Sequence, residues 1–189
     1  MQHLPSQMKI ELVDTAQLPK FFEYLEEHLQ DNGLPEAGYF QPIANSDLKL
    51  SQDRRTRFSE ATSFPVGDPG WRRFWISTDG TDIFGHVDLR AHFESYARHR
   101  CILGIGVRRG TRRRGVGRHL LLHAIDFAAS IPYIEWIDLQ VLSVNSAAIA
   151  LYAANGFAKT GEHKDLHRFD GLSFASTSMS YQIHRAGNG

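Results

Sequence analysis

Apolar and polar positions follow two rhythms along this chain, and the switches between them mark its elements. Lys9 to Val13 predicts a first strand. Leu18, Phe21, Phe22, Leu25 and Leu29 then recur at helical spacing. They predict a helix that opens at a cap on Asp14 or Thr15, runs through Gln30 and ends at Asn32-Gly33. From Leu34 to Pro69 the rhythm fades among Gly, Pro, Asn and Ser residues, apart from a helical pattern around Ser46 to Ala61. Alternation returns in a hairpin made of Trp71 to Thr78, a turn at Asp79-Gly80, and Thr81 to Phe93. In its second strand Ile83, Gly85, Val87, Leu89, Ala91 and Phe93 share one face. Phe84, His86, Asp88, Arg90 and His92 share the other, which reads as a solvated face.

A third strand covers Arg100 to Val107. A helix comes next, from about Gly115 to Ser130, then a near-continuous apolar strand from Ile134 to Leu142. Asn145 opens a short helix that closes at Asn155-Gly156. A second hairpin, Phe157 to Phe169 and Leu172 to Ile183, turns at Asp170-Gly171, and Arg185 to Gly189 reads as a frayed tail. The strand–helix–strand run from Arg100 to Leu142 is a β-α-β unit, whose crossover makes its two strands parallel. The expected fold is therefore α+β: a mixed, mostly antiparallel sheet with one parallel β-α-β unit, flanked by helices. With 189 residues the chain suits one domain, 1–189, with a core at about 9–184 and residues 34–69 as a variable substrate-side segment.

Charge narrows the choice of partners. Lys+Arg and Asp+Glu balance at 21 each, so any attraction for a phosphate is local, and no basic footprint for nucleic acid is expected. No stretch approaches ~18 consecutive apolar residues, so no membrane partner is expected. The polar start, Met1 to Glu11, makes the cytoplasm the default location. Cys101 is the sole cysteine; in its apolar run it reads as a small buried residue rather than a nucleophile. Metal ligation is not expected. His119 and His123 stand one helical turn apart, but no third ligand can be named.

The strongest chemical signal is the turn between the third strand and the Gly115 helix: Arg112, Arg113, Arg114, Gly115, Val116, Gly117 and Arg118. The first turn of a helix leaves backbone N–H groups without partners, and the helix dipole favours an anion there. Glycines let a phosphate approach the backbone, and arginines add charged donors. A Walker loop is excluded, because Val116-Gly117 stands where Lys-Ser/Thr is required. A dinucleotide fingerprint is excluded because Leu120 replaces its third glycine.

Arg112-x-x-Gly115-x-Gly117, preceded by Leu103-Gly104-Ile105-Gly106-Val107, resembles the coenzyme signature of the GNAT superfamily of acyl-CoA-dependent N-acetyltransferases. Asn145-x-x-Ala148-x-x-Leu151-Tyr152, ahead of Gly156-Phe157, resembles that family's second motif. Asn145 and Tyr152, seven residues apart, share a helix face about 10 Å apart along its axis.

The resemblance implies acetyl transfer from acetyl-CoA, as co-substrate, to a primary amine of a small molecule or peptide by direct attack. It is compatible with a homodimer. Its alternative is a non-catalytic acyl-CoA-binding or sensor module. It also implies that Ile105, Gly106 and Val107 hold the acetyl group and pantetheine through backbone N–H groups, and that Arg112 to Arg118 hold the diphosphate. Asn145 would bond the coenzyme arm, and Tyr152 would protonate the leaving thiolate. Many relatives carry a glutamate where Ile102 stands. The expected base therefore falls among His86, His99, Asp88, His92 and Glu94, with His86 and His99 foremost. Tyr39, Phe40 and Phe58 suggest an apolar acceptor wall.

Overall fold

The computed structural model describes residues 8–185, so the rest of the N-terminal stretch and of the predicted tail lie outside the described residues. The elements run β1 (Lys9–Leu12), α1 (Leu18–Gln30), α2 (Gln52–Ser63), β2 (Arg72–Thr78), β3 (Ile83–Ala91), β4 (Arg100–Val107), α3 (Val116–Ser130), β5 (Trp136–Leu142), α4 (Ser146–Ala154), β6 (Ala158–Phe169) and β7 (Leu172–Gln182). Single 3-10 turns stand at Asn45–Asp47 and Arg109–Thr111.

Two helices start later than the pattern predicts. Asp14 and Gln17 accept each other's backbone N–H at 2.9 and 3.0 Å, closing a separate turn before α1. Pro19 then sits in the first turn of α1, where its missing N–H costs nothing. Ser51 caps α2 by accepting from the Arg54 N–H at 3.2 Å, five residues beyond the predicted start. Arg185 is anchored rather than frayed, because its guanidinium donates to the carbonyls of Ile131 and Ile134, each at 2.6 Å.

Seven strands form one sheet in the order β1-β2-β3-β4-β5-β7-β6. Only β4 and β5 are parallel, as the crossover through α3 requires. The alternation on β3 serves two cores. Val87 and Leu89 pack with Leu103, Leu120, Leu121 and Ala124 beneath α3. On the opposite face Phe74 and Ile76 of β2 meet Phe21, Phe22 and Leu25 of α1; the register shift at Ser77/Thr78, which skips Phe84, turns Ile83 to this face and Phe84 to the α3 side, the reverse of the faces the alternation predicts. Burying a Leu or Phe stabilises by about 1.5–3 kcal/mol, so both layers hold the sheet.

The polar face of β3 is not solvated as its alternation suggested. α1 covers His86, and Arg72 and Arg90 close over Asp88, leaving His86 8% and Asp88 3% exposed. Cys101 is fully buried, and burial pushes its thiol up to about 12, so it behaves as core.

Candidate active site

The parallel ladder is short. Arg100, Cys101 and Ile102 pair with Trp136, Ile137 and Asp138, and beyond Ile102 the two strands part. β4 continues to Val107 against β3 alone. The Arg108 N–H donates to the Phe84 carbonyl of the β3 side at 2.9 Å. Backbone direction alternates along an antiparallel strand, so Gly106 and Gly104 also turn their groups to β3. Ile105 and Val107 turn theirs into the gap. Two of the three expected strand donors can thus meet an extended ligand arm; the Gly106 N–H is engaged by the sheet.

The chain leaves this strand through the arginine turn. Arg113 (φ 61°) and Gly115 (φ 84°) both adopt left-handed conformations, which tip successive N–H groups to one side. The first helical bond of α3 is His119 N–H to the Gly115 carbonyl, and no side chain caps the helix. The N–H groups of Arg113 through Arg118 therefore donate to no described residue. Such a row of bare donors fits a diphosphate. Gly117 allows the close packing here, since a Cβ on it would stand 3.2 Å from Leu151 and 3.4 Å from Val107.

The arginines divide into two groups. Arg108 bonds Glu27 at 2.9 Å, and Arg109 lies 3.4 Å from Asp31. Arg112, expected at the phosphate, instead donates to the Val107 and Ala37 carbonyls, both at 3.3 Å, while its own N–H reaches the Arg109 carbonyl. It ties the turn to the segment after α1. Arg113, Arg114 and Arg118 form no ion pair with a described residue, so they are the side chains left to meet an anion.

Across the gap stands α4. Asn145 Oδ1 caps it by accepting from the Ala148 N–H at 3.2 Å, which leaves the side-chain NH2 to donate outward. Tyr152 is buried in the same cluster as Val116, Leu139 and Val141, with its ring 5.7 Å from that of Phe157. Its hydroxyl bonds no described residue, and burial raises its pKa, so it stays a proton donor at neutral pH.

A sequence profile described as "Acetyltransferase (GNAT) family" matches residues 40–157. The chain belongs to the GNAT acetyltransferase family. Its members are acetyl-CoA-dependent N-acetyltransferases. The fold agrees with solved structures at low identity. A GNAT-family acetyltransferase from Streptococcus pneumoniae is 18% identical, with a TM-score of 0.79, covering 94% of this chain and 99% of that one. A Salmonella typhimurium protein solved with its cofactor acetyl-CoA is 20% identical, with a TM-score of 0.75, covering 97% and 98%. The ribosomal-protein-S18-alanine N-acetyltransferase of Escherichia coli is 19% identical, with a TM-score of 0.68, covering 96% and 97%. At these identities the likeness shows the fold alone. No curated protein matches the sequence.

In this GNAT fold the two foremost base candidates are poorly placed. His99 is exposed and stands at the start of β4, seven residues or about 23 Å from Gly106. Its carbonyl accepts from the N–H groups of Glu135 and Trp136. His86 Nδ1 shares a hydrogen bond with the Tyr24 hydroxyl at 3.1 Å. Burial depresses His86 to about 4, with Asp88 opposing and Arg72 adding to the shift. A base so weak is mismatched to taking a proton from a free ammonium at neutral pH.

Beside His86 lies His28 of α1, which sequence reasoning missed. It is 5% exposed, and neither ring nitrogen has a partner. Both rings fill the space over Gly106, where a Cβ would collide with His86 and stand 2.6 Å from His28 Nε2. The available signal was Tyr24 and His28, four apart on the buried edge of α1.

A cavity of about 920 Å³ opens at the point where β4 and β5 part, lined among others by Trp71, Arg90, Arg100, Ile102, Asp138 and Gln140. Both Asp138 oxygens are engaged, by Arg100 at 2.6 and 2.5 Å and by Ser180 at 2.5 Å. Burial raises the Asp138 carboxyl, but those bonds and the Arg100 charge outweigh it and hold it low. The expected aromatic wall lies elsewhere. Phe58 packs on Phe74 at 5.5 Å, Phe40 on His28 at 4.7 Å, and Tyr39 on Phe174 at 4.8 Å. Of the predicted substrate-side segment, only Gly67 to Pro69 border the cavity. The described residues contain no cluster able to hold a metal and no helix long and apolar enough to cross a membrane.

Proposed function

We propose that the protein transfers the acetyl group of acetyl-CoA directly to a primary amine that enters through the cavity between β4 and β5. The observation that carries this reading is the open edge of β4 leading straight to the unpaired N–H groups of Arg113 to Arg118. The family supplies the chemistry, and this chain's own residues divide the work of holding and protonation. The Ile105 and Val107 amides hold the thioester arm, the Asn145 amide steadies it, and the start of α3 with Arg113, Arg114 and Arg118 holds the diphosphate. Tyr152 keeps its proton through burial and donates it to the departing sulfur. Holding both reactants in one cleft replaces a chance encounter by a positioned one, which accounts for much of such a rate enhancement.

The acceptor is a small molecule or an accessible peptide amine. The charged side chains in the cavity wall, Arg90, Arg98, Arg100 and Glu94 among them, support this, and so does the ribosomal-protein alanine named for the Escherichia coli structural relative. Residues 1–189 act as one domain in this reading, and of the 34–69 segment only Gly67 to Pro69 border the acceptor side. The test is thiol release from acetyl-CoA across a panel of primary amines, run beside calorimetric titration with CoA. CoA binding together with amine-dependent thiol release is expected. CoA binding with no release by any amine would turn the reading to a binding module, and no CoA binding would overturn it.

A further inference from the structure

We infer that Asp88, on β3, is the group that receives the acceptor's amine, through a carboxylate oxygen lying over the bare face of Gly104, a role that rests on the proposed amine transfer.

Asp88 stands directly opposite Gly104 in the β3–β4 register. A Cβ on Gly104 would collide with Asp88 Oδ1 and stand 3.2 Å from Arg90 Nη1. The carboxylate thus occupies the space that a side chain on β4 would fill. Its two oxygens are used differently. Oδ2 accepts from Arg72 Nε at 2.9 Å and from Arg90 Nη1 at 2.8 Å. Oδ1 accepts from no described residue.

A purely structural carboxylate buried to this degree would be expected to engage both oxygens, as Asp138 does. The two arginines instead fix the group by one oxygen and leave the other presented at Gly104, which is only partly buried. Ile102, Leu103 and Arg90, the neighbours of this pair, line the cavity, while Asp88 and Gly104 stand beside that lining and are not part of it. The carboxylates that line the cavity itself are Asp138, whose two oxygens are both engaged, and Asp68 and Glu94, exposed side chains on loops. Ile102 itself offers no ionisable group.

Burial raises the Asp88 carboxyl, but the charges and hydrogen bonds of Arg72 and Arg90 outweigh it and keep it ionised. Such a weak base suits one particular proton. The acceptor sheds a first proton to water and attacks the thioester carbonyl as a neutral amine, forming the N–C bond. The nitrogen is then positively charged and attached to a tetrahedral carbon, which makes its proton far more acidic than that of the free ammonium. Oδ1 takes this proton. The C–S bond breaks with its electron pair on sulfur, and the sulfur takes a proton from Tyr152. Water removes the proton from Asp88 and restores the one on Tyr152. Before attack, Oδ1 aims the nitrogen lone pair by accepting one N–H.

The test compares benzylamine, protonated at neutral pH, with hydroxylamine, which is neutral there. Asp88→Asn should keep its affinity for CoA and lose about 100-fold or more in kcat/KM for benzylamine. Its loss with hydroxylamine should be several-fold at most, because the nitrogen of that less basic nucleophile is far more acidic in the tetrahedral adduct and yields its proton to water without Asp88. Equal losses with both nucleophiles would reduce Asp88 to a strut and overturn the inference. Gly104→Ala guards against misfolding of the first variant. It displaces Oδ1 and crowds Arg90 Nη1 but keeps the carboxylate charge and Arg72, and the same selective loss is expected. Wild-type protein that releases no thiol with either nucleophile would sink the acetyl-transfer reading itself. A wild type active on both, with unselective variants, would sink Asp88 alone.

Discussion

At the residue scale the least expected side chain is His28. It stacks against Tyr24, and both its nitrogens lie buried without partners, an arrangement that costs about 1–3 kcal/mol. Burial depresses it to about 3, with the His86, Arg112 and Arg108 charges adding, while its neighbour His86 lies at about 4. Both folded values lie below the unfolded value of about 6.5. The unfolded chain therefore binds more protons between these limits, and stability falls as pH drops from about 6.5 toward 4. His28→Leu should flatten that decline, read as a smaller drop in thermal midpoint between neutral and mildly acidic buffer. A decline as steep as wild type would show that His28 is not the titrating group. Asn145 and Tyr152 were legible in the sequence because a cap and a two-turn spacing are local facts. His28, and the burial of His86 and Asp88, were not. They depend on α1 lying across β3 and on Arg72 and Arg90 closing over Asp88, which alternation along a single strand cannot reveal.

At the element scale the β-α-β unit was legible from periodicity alone, and its boundaries hold within two residues. What periodicity could not show is where the two parallel strands stop pairing. Strand length is written in each strand, but the extent of a ladder depends on both strands and on what their ends are tied to. β4 is carried away by the Arg109–Thr111 turn and β5 by the loop to α4, so the gap is set by the connections. Gly117 sits at the closest approach of α3, β4 and α4. A valine there would press on Leu151 and Val107 and force α4 outward, an overpacking cost of about 1–3 kcal/mol. Because the bare N–H row and Asn145 face one ligand in the proposed function, the expected result of Gly117→Val is at least a tenfold weaker calorimetric affinity for CoA. Unchanged affinity would mean that the spacing of α3 and α4 does not matter for coenzyme binding.

At the scale of the whole molecule the charges cancel, 21 against 21, so nothing draws an anion from a distance. The cluster of arginines before α3 read in the sequence as one uniform patch, because pairing with α1 and with the segment beyond it is a tertiary event. Folding splits that patch. Arg109 is held beside Asp31 and Glu36, and Arg112 is turned to carbonyls, whereas Arg113, Arg114 and Arg118 keep their charges unpaired among described residues. Three unpaired cations around the proposed diphosphate site form a short-range field that salt screens within about 8 Å at physiological ionic strength. CoA affinity should therefore weaken several-fold as sodium chloride rises from about 0.05 to about 0.5 M, although the protein carries no net charge. Replacing Arg113, Arg114 and Arg118 together with glutamine should weaken binding and flatten that salt dependence. Arg109→Gln removes the same formal charge per site from the same turn, yet should leave the slope as it was, because its charge is already answered by Asp31 and Glu36. Equal flattening by both variants would mean that the turn acts through its total charge, and the division of the arginines by the fold would carry no weight in binding.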